Sequence, residues 1–293
     1  MTTSLQTTAA LLADVQQALA SHHSLFTPEQ RQALQDRIEA LVNYQAVVGI
    51  LGKTGSGKSS LCNALFGQDV AAVDDIAGCT RYPQEFTLAY KNGKGIALID
   101  VPGVGESEDR DQDYAGLYQR LLPELDLILW VIKADDRALA IDQNVFFSVI
   151  RPYLAQRDIP VVFVINQCDK IEPCRQWDEV NHLPGFTQQA NIVRKRTLVG
   201  QVFSVSPDQV CAVSAAEGYG LMALVEQIVI ALPNQKKWAI ARETRPEHVT
   251  GLAAHTARQG LWEVIKETAR SLVQEGWSMI SNKVESWLGR LFR

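Results

Sequence analysis

Residues 46–66 read AVVGILGKTGSGKSSLCNALF, and this stretch decides the fold. Ala46–Leu51 is a short unbroken apolar run, as a strand buried on both faces requires. Ser60–Phe66 carries apolar residues at helical spacing. Between them, Gly52-Lys53-Thr54-Gly55-Ser56-Gly57-Lys58-Ser59 fits G-x-x-x-x-G-K-[ST]. Glycines let successive backbone N–H groups turn inward around phosphate oxygens. The helix that follows points its positive end at the same anion. Lys58 is then spaced to reach β- and γ-phosphates, and the Ser59 hydroxyl to ligate Mg²⁺. Lys53, Thr54, Gly55, Ser56, Gly57 and Ser60 complete the candidate cradle.

Further apolar runs follow at Phe86–Tyr90, Ile96–Ile99, Leu125–Ile132, Ile159–Ile165 and Val210–Val213. Helical patterns over Ala138–Ala155, Thr187–Phe203 and Leu221–Leu232 separate most of them. Strands alternating with helices predict a mostly parallel sheet covered on both faces.

Both ends of the chain read as helix. Leu5, Ala9, Leu12, Val15 and Leu19 recur at helical spacing, and Thr27-Pro28-Glu29-Gln30 has the residues of a capping box. Leu34, Ile38, Leu41 and Val42 supply the stripe of the helix it starts. Beyond Pro233 there is no strand signal. Glycines at 251, 260, 276 and 289 interrupt the helical stripes there, while Leu261, Ile265, Ala269, Leu272, Ile280, Val284, Trp287 and Leu291 fit one face. The expected division is a helical segment 1–43, a nucleotide-handling domain 44–232 and a helical segment 233–293.

Composition narrows the function classes. A net charge of −5 over 293 residues argues against a general nucleic-acid binder. No apolar run reaches the ~18 residues of a membrane span. The N-terminus lacks a basic n-region and carries Asp14 in its apolar part, unlike a secretory signal. The five cysteines are scattered without metal-ligand spacing and read as reduced thiols of a cytoplasmic protein.

Three further segments choose the nucleotide. Asp100-Val101-Pro102-Gly103 follows the run Ile96–Ile99, where the Asp can hold Mg²⁺ through water and the Gly103 N–H can meet a γ-phosphate. Asn166-Gln167-Cys168-Asp169 follows Val161–Ile165. The Asp169 carboxylate can accept from both N1–H and the 2-amino group of guanine, a donor pair that adenine lacks. Ser214-Ala215-Ala216 follows Val210–Val213, and the Ala215 N–H can bond guanine O6.

With these motifs in order, residues 44–232 resemble the translation-factor-related P-loop GTPases of the Era-like branch. The runs GKTGSGKSSLCNALF and DVPGVGESEDRDQDY look most like the small bacterial YeeP/YfjP-type GTPases. The resemblance implies an α/β fold: a three-layer P-loop NTPase G domain with a six-stranded, mostly parallel sheet and helical flanks. Its antiparallel strand would be Phe86–Tyr90, joined to Ile96–Ile99 by the Asn92-Gly93 turn. It also implies hydrolysis of GTP to GDP and phosphate with Mg²⁺ as cofactor. Lys58, Thr80 and Gly103 would be the catalytic set, and Ser59, Thr80 and Asp100 the metal set. Thr80 stands where the switch I threonine belongs.

Two positions depart from the pattern. Gln167 replaces the lysine of N-K-x-D, and Val104 stands where Ras-like members carry a water-orienting Gln. Gly55 occupies the slot of the Asn found in potassium-activated relatives, so no potassium dependence is expected. Slow turnover without a partner follows from the missing Gln. An alternative is a slow-hydrolysing module whose GTP state controls dimerisation or partner docking, and a homodimer or a protein activator is a candidate partner. Ribosome or RNA contact gains no support from the charge, and peripheral membrane contact by the C-terminal helices little from six basic against four acidic residues after Ala257. The acidic run from Asp109 lacks the Gly and Glu of a calcium loop. Arg194-Lys195-Arg196 reads as a solvated helix face in preference to an RNA contact, and Asp135-Asp136-Arg137 as the opening of a helix.

Overall fold

The computed structural model describes residues 12–13, 16–17, 26–53, 55–67, 70–72, 89–91, 96–98, 122–154 and 157–273. The chain forms two compact units, one of residues 46–231 and one of 1–45 with 232–293.

In the first unit, strands β1 (Val48–Leu51), β4 (Ile96–Leu98), β5 (Leu127–Lys133), β6 (Val161–Asn166) and β7 (Val210–Ala212) make a parallel sheet in the order β4-β1-β5-β6-β7. Strand order reverses at β1. Open parallel sheets bind ligands beyond the carboxyl ends of their strands at such a point, and the glycine-rich loop leaves β1 there. Every residue of β1 is buried, as its unbroken apolar run requires. The carboxyl ends of β5, β6 and β7 lie on the same edge of the sheet, so the loops that follow them converge on it.

Helix α1 (Pro28–Val42) belongs to the other unit; here α2 (Lys58–Phe66) follows the loop and buries Leu61, Cys62, Leu65 and Phe66. The pattern over Ala138–Ala155 resolves into α3 (Ala140–Val145), a π turn at Phe146–Ile150 and α4 (Arg151–Leu154). Helices α5 (Phe186–Phe203) and α6 (Leu221–Ala231) complete the unit. Trp130 and Phe163 on neighbouring strands meet Phe146 and Phe203 from the helices, with ring centroids 4.6–5.6 Å apart for Phe163–Phe203, Phe146–Phe203 and Trp130–Phe146. Such edge and tilted pairs suit the aromatic quadrupole.

The six-stranded sheet is corrected. Among the described residues the sheet has five strands, and β2 (Val70–Ala72) and β3 (Ala89–Lys91) form a separate antiparallel pair. The ladder of β3 runs to β2, with Ala72 opposite Ala89, so the antiparallel strand is placed outside the main sheet. Three residues of β2 are too few for a periodic signal, which is why the sequence reading lacks this strand. The Asn92-Gly93 turn lies outside the described residues.

In the second unit, α1 starts with the expected capping box. The Gln30 N–H donates to Thr27 Oγ1 (3.3 Å) and the Thr27 N–H to Gln30 Oε1 (2.9 Å). Leu34, Ile38, Leu41 and Val42 are buried against Trp238 of α7 (Asn234–Glu243) and Leu261, Ile265 and Ala269 of α8 (Gly251–Val273). The start of α1 meets the end of α8, where Gln30 Nε2 donates to the Leu272 carbonyl (2.8 Å). Gly260 does not interrupt α8 as expected. It lets α7 approach, since a Cβ there would lie 3.0 Å from Lys237 Cδ and 3.2 Å from the Asn234 carbonyl oxygen. The first N-terminal stripe apart from Leu12, and the tail face beyond Val273, lie outside the described residues.

Asp126, which breaks the apolar run before β5, is buried for a reason. Its Oδ2 accepts from the Val47 N–H (2.9 Å) while its own N–H donates to the Val47 carbonyl (2.8 Å), which fixes where β1 and β5 begin to pair. Asp126→Ala leaves a backbone donor without its acceptor and is expected to cost about 1–3 kcal/mol. Urea unfolding of the variant measures this; an unchanged midpoint would mean the pair does not hold the register.

Candidate functional site

The loop after β1 is shaped by close backbone approach. Gly52 has φ 150°, and a Cβ there would lie 2.1 Å from the Val131 carbonyl oxygen. Gly57 has φ 85°, and its Cβ would sit 2.4 Å from Asn166 Nδ2. Only glycine fits either position. Lys58 is buried in the first turn of α2, and its ammonium donates to the carbonyls of Gly52 (2.7 Å) and Lys53 (2.9 Å). A cation is thus folded across a loop at the positive end of a helix, an arrangement that suits an anion. Ser56 Oγ is buried beside the loop without a hydrogen-bond partner among the described residues. Ser59 and Ser60 are exposed in the same first turn.

The loop is tied to its neighbours by Asn166, the last residue of β6, which is fully buried. Its Nδ2 donates to the carbonyls of Ser56 (3.0 Å) and Gly57 (3.2 Å), and its Oδ1 accepts from the Ala215 N–H (3.1 Å). Gln167, at φ 65°, donates from Nε2 to the Gly55 carbonyl (2.9 Å). One oxygen of Asp169 accepts from Ser214 Oγ (2.6 Å). A carboxylate has further acceptor sites for a pair of N–H donors. The structure therefore gathers Gly55, Ser56, Gly57, Lys58, Asn166, Gln167, Asp169, Ser214 and Ala215 at one edge of the sheet, with Ala216 in the same turn. Thr54, Thr80, Asp100 and Gly103 lie outside the described residues, as do Val104 and the acidic run from Asp109.

Several supports were missed in the sequence. Gln188 is fully buried and donates to the carbonyls of Asp169 and Ile171 (both 2.9 Å), holding the turn that carries Asp169. The one signal for it was an amide on the buried face of α5. Trp177 packs edge-on against Tyr219 with centroids 5.6 Å apart, and His182 Nδ1 lies 2.7 Å from Glu217 Oε2, so residues 177–182 flank the 214–219 turn. Burial pushes the Cys168 thiol up to about 12, which leaves it an unreactive core group.

The Arg194-Lys195-Arg196 run is corrected. Lys195 donates to the Asp136 carbonyl, and Arg196 reaches the carbonyls of Val210 (2.8 Å) and Pro207 (3.0 Å). Two of the three cations are therefore structural rather than a solvated face, because backbone oxygens at the ends of β5 and β7 lie within reach of α5. Asp135-Asp136-Arg137 does not open a helix either: α3 starts at Ala140, and Asp136 Oδ1 accepts from the Ala138 N–H (2.8 Å) in a turn.

Lys53 lies in a carboxylate cage. Its ammonium is 2.9 Å from Asp136 and 2.7 Å from buried Asp142, and donates to the Ala138 carbonyl (2.6 Å). Burial would lower the Lys53 pKa, but the hydrogen bonds it donates to Asp142 and Asp136 outweigh it and hold the ammonium above its usual range. Burial pushes the Asp142 carboxyl up, against the pull of Lys53. Burial would also raise Asp136, yet Lys53 and the Ala138 N–H hold it low. The cage fixes the first turn of the loop to the segment after β5. The two border a cavity of about 440 Å³ that Ser56 and Lys133 also line.

Comparison with known proteins agrees with this geometry. Residues 47–167 match the family described as 50S ribosome-binding GTPase. The chain is 42% identical over 235 residues to the uncharacterized protein YkfA of Escherichia coli (strain K12), spanning 80% of this chain and 78% of that one. It is 40% identical to YfjP of the same organism over the same shares. GTPase Era of Aquifex aeolicus is 29% identical over 191 residues, 64% of this chain and 56% of that protein.

Removing Lys53 strands the buried Asp142 carboxylate. Lys53→Ala is expected to lower stability by about 1–3 kcal/mol, and Asp142→Asn added to it to restore part of the loss. Chemical denaturation of the single and double variants measures both, and a simple sum of the two effects would contradict the cage.

Proposed function

We propose, from the premise that this chain belongs to the GTPase family of YkfA and YfjP, that it binds GTP and hydrolyses it to GDP and phosphate as a nucleotide-dependent switch. The observation that carries this reading is the joint geometry at Asn166, whose one carboxamide bonds both the glycine-rich loop and the Ala215 N–H. This link between the phosphate loop and the base loops supports a single nucleotide spanning both.

In this reading residues 44–232 do the chemistry, and the segments 1–43 and 233–293 form a separate helical part. Backbone N–H groups of residues 53–58 wrap the α- and β-phosphates. On binding, the Lys58 ammonium leaves the carbonyls of Gly52 and Lys53 for β- and γ-phosphate oxygens. It then faces the charge that shifts toward the β–γ bridge as the bond breaks. Asp169 accepts from guanine N1–H and the 2-amino group, Ala215 donates to O6, and Ser214 holds Asp169 in place. Asn166, Gln167 and Ala216 shape the base pocket. Thr80 and Gly103 sense the γ-phosphate, so the segments that carry them respond to hydrolysis.

A hard cation prefers oxygen donors, and the exposed Ser59 hydroxyl beside Lys58 suits Mg²⁺. Ser59, Thr80 and Asp100 would hold it. When bound, it neutralises charge on the β- and γ-phosphates. With Val104 in place of a water-orienting Gln, turnover without a partner falls in the slow range, on the order of 10⁻⁴–10⁻² s⁻¹. The absence of a basic excess favours a protein activator over RNA. The scattered spacing of the cysteines suits reduced thiols and a cytoplasmic location.

Phosphate release from GTP by purified protein with Mg²⁺ tests the reading. Lys58→Ala is expected to lower the single-turnover rate by at least about 100-fold. Release that continues unchanged in this variant would remove the assignment of the loop. Light scattering with GTP, with GDP and without nucleotide separates a monomeric switch from a GTP-dependent dimer.

A further inference from the structure

We infer that Lys170 and Gln167 together form the charged tether that a lysine at position 167 would otherwise supply, so that Lys170 is a positioning residue for the guanine nucleotide. The inference rests on the proposed function and deepens it. The usual motif places an ammonium at position 167. This chain has an uncharged carboxamide there, followed three residues later by Lys170.

The geometry joins the two. Lys170 Nζ donates to Gln167 Oε1 (2.8 Å), and Gln167 Nε2 donates to the Gly55 carbonyl (2.9 Å). A carboxamide carries one acceptor and one donor group, so it can pass a cation's influence to a carbonyl where neither group alone could. Turning the amide over would set its oxygen against the Gly55 carbonyl and its NH₂ against the ammonium. Lys170 therefore fixes the amide orientation on the Gly55 side. An ammonium on the oxygen also polarises the amide and strengthens its N–H as a donor.

Backbone conformation supports the arrangement. Gln167 sits at φ 65°, a left-handed conformation that a non-glycine residue adopts at some cost. The Lys170 N–H donates to the Gln167 carbonyl (3.0 Å), closing the turn that carries Asp169 between them. The same two residues are thus joined by backbone and by side chain, and the side-chain arm continues to the phosphate loop. Asp169, which reads the base, is held on one side by Gln188 and on the other by this tether. Without Lys170 the base loop and the phosphate loop would keep the Asn166 link, and the Gln167 link would lose the cation that orients it.

The test is titration of GTP and GDP into the full chain and its variants, with unfolding of the nucleotide-free proteins alongside. The tether is solvent-exposed, so its effect is modest: Lys170→Ala is expected to weaken GTP and GDP alike by about threefold while the nucleotide-free protein melts where the wild type does. Lys170→Arg keeps wild-type affinity. Gln167→Lys in the Lys170→Ala background restores it, because the ammonium then stands at position 167 itself. Gln167→Lys alone, which brings two ammoniums together, gives no gain. Unchanged affinity in Lys170→Ala, or a Gln167→Lys/Lys170→Ala protein as weak as Lys170→Ala, overturns the tether and leaves the functional reading standing. A wild-type chain that binds neither GTP nor GDP overturns the functional reading and the tether with it.

Discussion

One buried carboxamide organises this site. Asn166 ends β6 with no exposure to solvent, and its two polar groups satisfy three backbone partners on two other loops. A buried amide with unmet hydrogen bonds is costly, and one with all of them met holds its neighbours rigidly. Its placement requires glycine at position 57, since the Asn166 side chain occupies the space a Cβ would need. The position of Ala215 is held by the same carboxamide. Parallel strands deliver all of these groups to one edge, so a local bond at the end of β6 has consequences across the sheet.

Around that centre the protein uses side chain to backbone bonds between residues far apart in sequence. Gln188 braces the Asp169 turn from α5, Lys195 and Arg196 brace the ends of β5 and β7, and Lys53 links the loop to Asp136 and Asp142. Each of these cations or amides replaces water around a carbonyl or carboxylate that burial would otherwise leave unmatched. The helical unit is built differently, from a stripe on α1 and the faces of α7 and α8 around Trp238, with Gly260 admitting close approach. Each unit thus has its own kind of internal contact.

The parts of this fold that were legible in the sequence are those with a local signature. Buried parallel strands leave unbroken apolar runs, so β1, β5 and β6 were readable. The glycine-rich loop, the capping box at Thr27 and the stripe of α1 each declare themselves within a few residues. The rest depends on distant pairs that leave no period. The three-residue β2 was too short to read, so its ladder with β3 has no signal in the sequence. Gly260 looked like an interruption because close helix packing cannot be seen along a single helix. Arg194-Lys195-Arg196 looked solvated because nothing nearby in sequence shows the carbonyls that two of them reach. Gln167 reads as a loss of charge because the motif alone does not show Lys170 on its oxygen.

The central claim is that these loops make a site for guanine rather than for any nucleotide. Competition against a fluorescent guanine nucleotide, with Mg²⁺ and the full chain, tests it most directly. GTP and GDP are expected to displace the probe, and ATP to fail even at about 100-fold excess, because adenine lacks the donor pair for Asp169. Displacement by ATP at the same concentration as GTP would contradict the account.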